Sequence, residues 1–243
     1  MIYSKISIRI FLILLCSFSN FNILFAQKKD NELVYNWFDK TIGKENLAVN
    51  NGKLEINYDR TLNNQNRYLT SNNYTIGSLN YDNQDYFNVN LKYDIFKDEL
   101  ILRPDGESDY ISINLIKERI KNFKIYDRNF INLDNILPSN FLGGYYEENL
   151  LGKSFVFYVK HYKQNRELVN DNGVFVEYFY ENKYIIFYKN KFNTINNKSE
   201  IVKLFPNQKT NINDFYNLNK YLKKENQLKF MENLMKYINK LIP

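Results

Sequence analysis

Between Asn46 and Tyr188 the apolar residues of this chain recur mainly at every second position. The clearest run is Phe87, Val89, Leu91, Tyr93 and Ile95, alternating with Asn88, Asn90, Lys92 and Asp94. Five apolar side chains on one face and four polar ones on the other predict a half-buried antiparallel strand. Turn chemistry cuts the pattern into short pieces. Asn50-Asn51-Gly52 predicts a hairpin joining residues 47–49 to 54–58, since Asn-Gly supplies the positive φ of a tight turn. Residues 82–85, 97–99, 104–106 and 171–173 predict further turns, and 181–183 predict another before a strand at 184–188. Strands joined so briefly form a meander and leave no room for crossover helices.

At both ends the period lengthens to three and four. Leu33, Val34, Trp37 and Phe38 place an apolar stripe on a short helix within 30–44, with Trp37 expected as a plug against the sheet. After Asn197, Ser199 is the expected N-cap of a helix over 200–205 that Pro206 ends. A second helix opens at Thr210 or Asn211 and carries Ile212, Phe215, Leu218 and Leu222. A third carries Met231, Leu234 and Ile238, with Leu241 or Ile242. Such stripes pack on the sheet or cap its open edge, although their basic rims also suit a membrane surface.

The fold class that follows is α+β, mainly antiparallel β: a curled meander sheet, as a sandwich or half-barrel, followed by C-terminal helices. Residues 1–26 read as a signal peptide, 27–198 as the β-rich antiparallel sheet domain, and 199–243 as a helical segment packed on the sheet.

The leader carries Lys5 and Arg9, then an apolar stretch over 10–16, and ends at Ala26 before the polar Gln27. Positive start, short apolar middle and small residue at the cut are the marks of export, with cleavage near Ala26 and a periplasmic or extracellular product. Ser17, Ser19, Asn20 and Asn22 interrupt the apolar run, and no later stretch reaches spanning length, so no transmembrane span is expected in the mature chain. Cys16 is the one cysteine and leaves with the leader, which removes disulfides and thiolate chemistry from the domain.

The core must therefore hold the fold by itself, and the chain's 21 Tyr and 19 Phe, all but five of them beyond the leader, supply it with large side chains. About one residue in six is Asn, an excess that suits an AT-rich genome and argues against reading function into Asn runs. Net charge is +6, falling to +4 once Lys5 and Arg9 are removed. The excess is spread along the chain, and an exported protein with this balance is not expected to bind nucleic acid.

Chemistry is sparse. A hydrolytic serine or a zinc site needs histidines, and His161 is the only one. It falls in phase with Phe155, Phe157 and Val159, which reads as a structural histidine at the end or edge of a strand. Glu147 and Glu148 are strand neighbours and point to opposite faces, so they cannot converge as an acid/base pair. No metal, cofactor or catalytic residue is expected. The ligand-binding candidates are Trp37 and His161.

One stretch, Gly77-Ser78, Tyr81-Asp82, Gln84, Tyr86, Val89, Leu91, Tyr93-Asp94, Asp98 and Leu100-Ile101, resembles a segment of uncharacterised exported β-rich proteins of Bacteroidota. Gly144-Tyr145-Tyr146-Glu147 and the tail from Leu204-Phe205-Pro206 to Asn226-Gln227-Leu228 are similar to segments of the same proteins. The resemblance covers about two-thirds of the chain after the leader. It implies an envelope location and the β-then-α order, and it brings no established activity. The functional expectation is an exported non-catalytic binding or scaffold module whose partner is an envelope protein or an apolar ligand. The alternatives are a lipid or lipoprotein carrier with a half-barrel cavity, and a secreted glycan hydrolase.

Overall fold

The computed structural model describes residues 32–43, 47–62, 65–105, 111–150 and 154–242. The leader, the cut at Ala26 and the turn at Gly106 lie outside them. Helix α1 covers residues 32–42. The strands are β1 (Gly52–Leu54), β2 (Thr75–Tyr81), β3 (Gln84–Asp94), β4 (Glu99–Arg103), β5 (Ile113–Leu115) and β6 (Ile120–Ile125). They continue as β7 (Arg128–Asn132), β8 (Tyr145–Leu150), β9 (Val156–Asn170), β10 (Gly173–Tyr188) and β11 (Lys191–Thr194). Helices α2 (Lys198–Leu204), α3 (Lys209–Leu218), α4 (Lys220–Glu225) and α5 (Gln227–Leu241) follow.

All eleven strands form one antiparallel, unclosed sheet in the order β1-β5-β4-β3-β2-β6-β7-β8-β9-β10-β11. It consists of two meanders, β2 to β5 and β6 to β11, joined where β6 pairs with β2. Two-residue turns at Asp82-Asn83, Tyr126-Asp127 and Lys189-Asn190 have φ between 50° and 64° at both residues. That geometry matches the twist of the flanking strands. Asn and Asp fill most of these positions because their short polar side chains tolerate the left-handed region.

The long alternating run is interrupted by one residue. Gly77 pairs with Val89 but Ser78 pairs with Phe87, which leaves Asn88 bulged at φ 55°. A bulge shifts the side-chain phase. Tyr86 therefore reaches the core before it and Leu91, Tyr93 and Ile95 after it, while Phe87 turns to the opposite face and meets Tyr35 of α1, ring centroids 6.1 Å apart.

Two main cores share the inner face. In the curled N-terminal part, Phe123 stacks on Phe130 at 4.8 Å, and Tyr93 and Tyr145 close edge-on against them. Under the helices, Phe157, Val159, Tyr184 and Ile186 of β9 and β10 meet Phe230, Leu234, Met235 and Ile238 of α5. A smaller cluster, built on Tyr146, Tyr158 and Ile185, covers the outer face.

Several local expectations change. Residues 47–58 are not a hairpin: residues Ala48–Asn50 form a 3-10 turn, and β1 pairs with β5 instead, Leu54 opposite Ile113. Asn51 sits at φ −89°, so the Asn-Gly pair is not used as a tight turn. Residues 181–183 do not turn either, because Glu181, Asn182 and Lys183 pair in register with Tyr162, His161 and Lys160 within one strand of 16 residues. The N-cap of α2 is Asn197, whose side chain accepts from Glu200 N. Trp37 is no plug, being 65% exposed, because α1 docks through Glu32, Tyr35 and Asp39 and turns its apolar stripe outward. Among the described residues no helix is long and apolar enough to cross a membrane.

Candidate functional site

β11 ends the sheet order, so among the described residues its outer edge pairs with no other strand. It is held by the turn at Lys189-Asn190 and by pairing with β10: Tyr188 opposite Lys191, Phe187 opposite Phe192, Ile186 opposite Asn193. In a two-residue hairpin the closing pair is hydrogen-bonded and the next pair is not. Lys191 and Asn193 therefore bond to β10, and Ile195 N donates to Tyr184 O at 3.1 Å in the same phase. Phe192 and Thr194 direct their N–H and C=O groups to the open edge. Such an edge is a template for another extended chain.

A groove of about 910 Å3 runs beside this edge. Phe141, Phe187 and Phe192 form its apolar floor, with Phe187 and Phe192 at 4.8 Å and Phe141 and Phe192 at 6.3 Å between centroids. One wall is the loop before β8, where Leu133 O accepts from Ile136 N and Leu137 N, and Pro138 O from Phe141 N. The other wall is α2. Glu200 there is fixed by the helix cap: its carboxylate accepts from Asn196 N at 2.7 Å and from the Asn197 side-chain amide at 2.8 Å. Lys191 and Lys203 add positive charge, and Glu200 is the one carboxylate among the lining residues. Sequence reasoning missed this strand, since four residues with one aromatic give no period; Asn190, a residue that tolerates the left-handed region, was the available signal.

The main buried ionic groups lie elsewhere and are paired with one another. Asp98, in the turn after β3, accepts from Tyr93 Oη at 2.6 Å, Lys160 Nζ at 2.6 Å and Lys117 Nζ at 2.7 Å. Burial opposes its charge, but Lys160 and Lys117 outweigh burial and hold the carboxyl below its ordinary range. Burial also pushes the Lys160 amine down in spite of Asp98, whereas Lys117, partly in water and shared with Asp134, is held up. Gly144 makes room for this cluster. Its φ is +102°, and a Cβ there would lie 1.8 Å from Asp98 Oδ2. A second cluster places Arg67 against Asp94 at 2.6 Å and Glu55 at 2.8 Å. Nearby, burial pushes the Lys163 amine down to about 8, while its bonds to Asn66 O and Tyr68 O favour the charged form.

His161 is 1% exposed, in the middle of β9 and not at an edge. Nε2 lies 2.6 Å from Glu147 Oε2, and Nδ1 is in hydrogen-bond contact with the Tyr180 hydroxyl. A carboxylate only accepts, so Nε2 carries the proton, and Nδ1 is engaged by the Tyr180 hydroxyl. Both ring nitrogens are then occupied and none is left for a ligand. Glu147 is closed further by Arg128 Nε at 3.4 Å. Trp37 lies on the free face of α1, far along the chain from the groove and from His161, and the structure does not bring the two sequence candidates together. No protein-family model, curated protein or solved structure matches the chain.

Proposed function

We propose that the chain is an exported, non-catalytic binding module of the cell envelope, and that it takes an extended segment of a partner protein against β11. The observation that carries this reading is the open edge of β11 beside an aromatic-floored groove. Backbone groups of Phe192 and Thr194 would add a strand, and Phe141, Phe187 and Phe192 would receive alternate side chains of the guest. Export rests on the leader pattern and on the resemblance to exported proteins. The non-catalytic reading rests on Asp98, Glu147 and Asp94, each held by buried cations or by His161. The groove itself offers a single carboxylate where glycan hydrolysis needs two. The carrier reading needs an apolar cavity between sheet and helices, and that space is filled by Phe157, Tyr184, Phe230 and Leu234.

The test is photo-cross-linking from position 140, on the loop wall of the groove, in envelope extracts, with and without the substitution Thr194→Pro. Proline there removes an outward donor and leaves the β10 ladder intact. One protein cross-linked through one contiguous segment, and lost by about tenfold or more in the variant, is the expected result. Cross-linking that Thr194→Pro leaves unchanged, or recovery of lipid in place of protein, overturns the reading.

A further inference from the structure

The two sides of β11 differ in chemistry, and a guest strand must match both. Cross-strand partners point to the same face of a sheet. Phe192 stands opposite Phe187 and Thr194 opposite Ile185, on the side that carries the outer cluster. Lys191 stands opposite Tyr188 and Asn193 opposite Ile186, whose side chains belong to the core under the helices. The open edge is therefore mainly apolar on its outer side, where Phe141 packs on Phe192. On its inner side it is polar, where Glu200 and Lys203 of α2 line the groove. A strand laid along it alternates in the same phase. Guest residues opposite Phe192 and Thr194 meet the aromatic floor, and those between them meet Lys191, Asn193 and α2.

Charge selects the residues on that second side. Between positions 189 and 203 the chain has Lys189, Lys191, Lys198 and Lys203 against the single acid Glu200. The Glu200 carboxylate already accepts from Asn196 N and the Asn197 amide. Asp134, the acid of the loop wall, is paired with Lys117 at 3.1 Å. Lys189 and Lys198 lie over the rings of Tyr188 and Tyr216. Lys191 and Lys203 are exposed, and among the described residues no carboxylate pairs with either. A lysine on an edge strand also opposes pairing with a second copy, which would bring its own lysines, and admits a guest of opposite sign.

We propose that the segment taken by β11 is an acidic strand in which apolar residues alternate with Asp or Glu. Its apolar side chains lie on Phe141, Phe187 and Phe192, and its carboxylates meet Lys191 and Lys203. The inference rests on the open-edge reading of the groove and goes beyond it in naming the guest's chemistry on both faces.

Three labelled peptides that alternate valine with glutamate, with glutamine or with lysine test it, their fluorescence anisotropy being followed on the purified protein at low salt. The expected result is that the glutamate peptide binds about tenfold tighter than the lysine peptide, with glutamine between them. The gap narrows as salt is added. Lys191→Glu combined with Lys203→Glu reverses the order and leaves circular dichroism and melting temperature unchanged, because both side chains are exposed. Thr194→Pro weakens all three peptides. Glutamate and lysine peptides bound equally, and weakened alike by Thr194→Pro, overturn the acidic guest and leave the open edge standing. Binding that Thr194→Pro does not change, or no binding by any of the three, overturns the edge reading and this inference with it. Self-association that grows with protein concentration and is broken by Thr194→Pro marks a second copy as the occupant, which overturns the proposal as well.

Discussion

Helices α1 and α5 carry similar sequence signals and end in opposite environments. Both place apolar residues three and four apart on one face. In α5, Phe230, Leu234, Met235 and Ile238 are fully buried on β9 and β10, whereas in α1 the stripe faces out. The sheet decides. Under α5 it offers Phe157, Val159, Tyr184 and Ile186, an apolar floor that water leaves readily. Under α1 it offers Phe87 and Asn88 at a bulge, and there the polar side of the helix makes the better fit through Glu32 and Tyr35. A hydrophobic stripe thus states that one face of a helix is oily, not what that face meets.

The largest effect that sharpens this contrast is Leu234→Asp in α5. It removes a fully buried leucine and leaves a carboxylate among aromatic and aliphatic side chains. A loss of at least about 4 kcal/mol is expected, seen as a collapse of the urea midpoint. A wild-type midpoint would mean that α5 is not docked in solution, and the contrast with α1 would disappear.

The two cores also differ in what pins them. The one beneath α5 is held by apolar contact, while the curled region that carries α1 is tied by Asp98 between two lysines and Tyr93. Asp98→Asn strands the buried Lys160 beside a neutral amide, and a loss of about 3 kcal/mol in chemical denaturation is expected. Gly144→Ala should cost about 2 kcal/mol, since the new methyl meets Asp98 Oδ2 at a backbone φ that L residues rarely adopt.

Asp98 also gives the contrast a pH dependence. The folded carboxyl titrates below its ordinary range, so it contributes stability that is complete above the unfolded value near 3.9. That contribution is lost as pH falls through the lower, folded value. Hydrogen exchange in acid should therefore rise first in β3 and β4 and later in α5. Simultaneous loss would make the two cores one cooperative unit without a separate acid-sensitive pin.

What the sequence made legible follows the same physics. Alternation located β3, and turn residues located the breaks at 82–85, 97–99 and 171–173, because each strand buries one face and each turn has its own backbone requirement. The bulge at Asn88 was hidden, since it depends on the register against Gly77 and Ser78. The pairing of β1 with β5 was hidden for the same reason: it joins residues some sixty positions apart. Of the two candidate residues, the structural alternative for His161 follows from its place among Phe157 and Val159, and Glu147 as its partner follows only from the neighbouring strand. The groove combines a loop, an edge strand and a helix cap, none of which carries a period.

The smallest expected effect falls on the helix that faces outward. Val34→Asp places the same charge as Leu234→Asp on the same kind of stripe, at a position 61% exposed. Its stability should stay within about 0.5 kcal/mol of wild type, because no packed side chain is removed and the carboxylate remains in water. Tyr35→Ala, one residue further on, should cost more, since Tyr35 makes the ring contact with Phe87. Reading the pair together separates the two ways in which α1 could be held. If Val34→Asp proved as damaging as Leu234→Asp while Tyr35→Ala was silent, α1 would be docked through its stripe in solution. Both helices would then obey one rule, and the apolar stripe of α1 would not be its outward face.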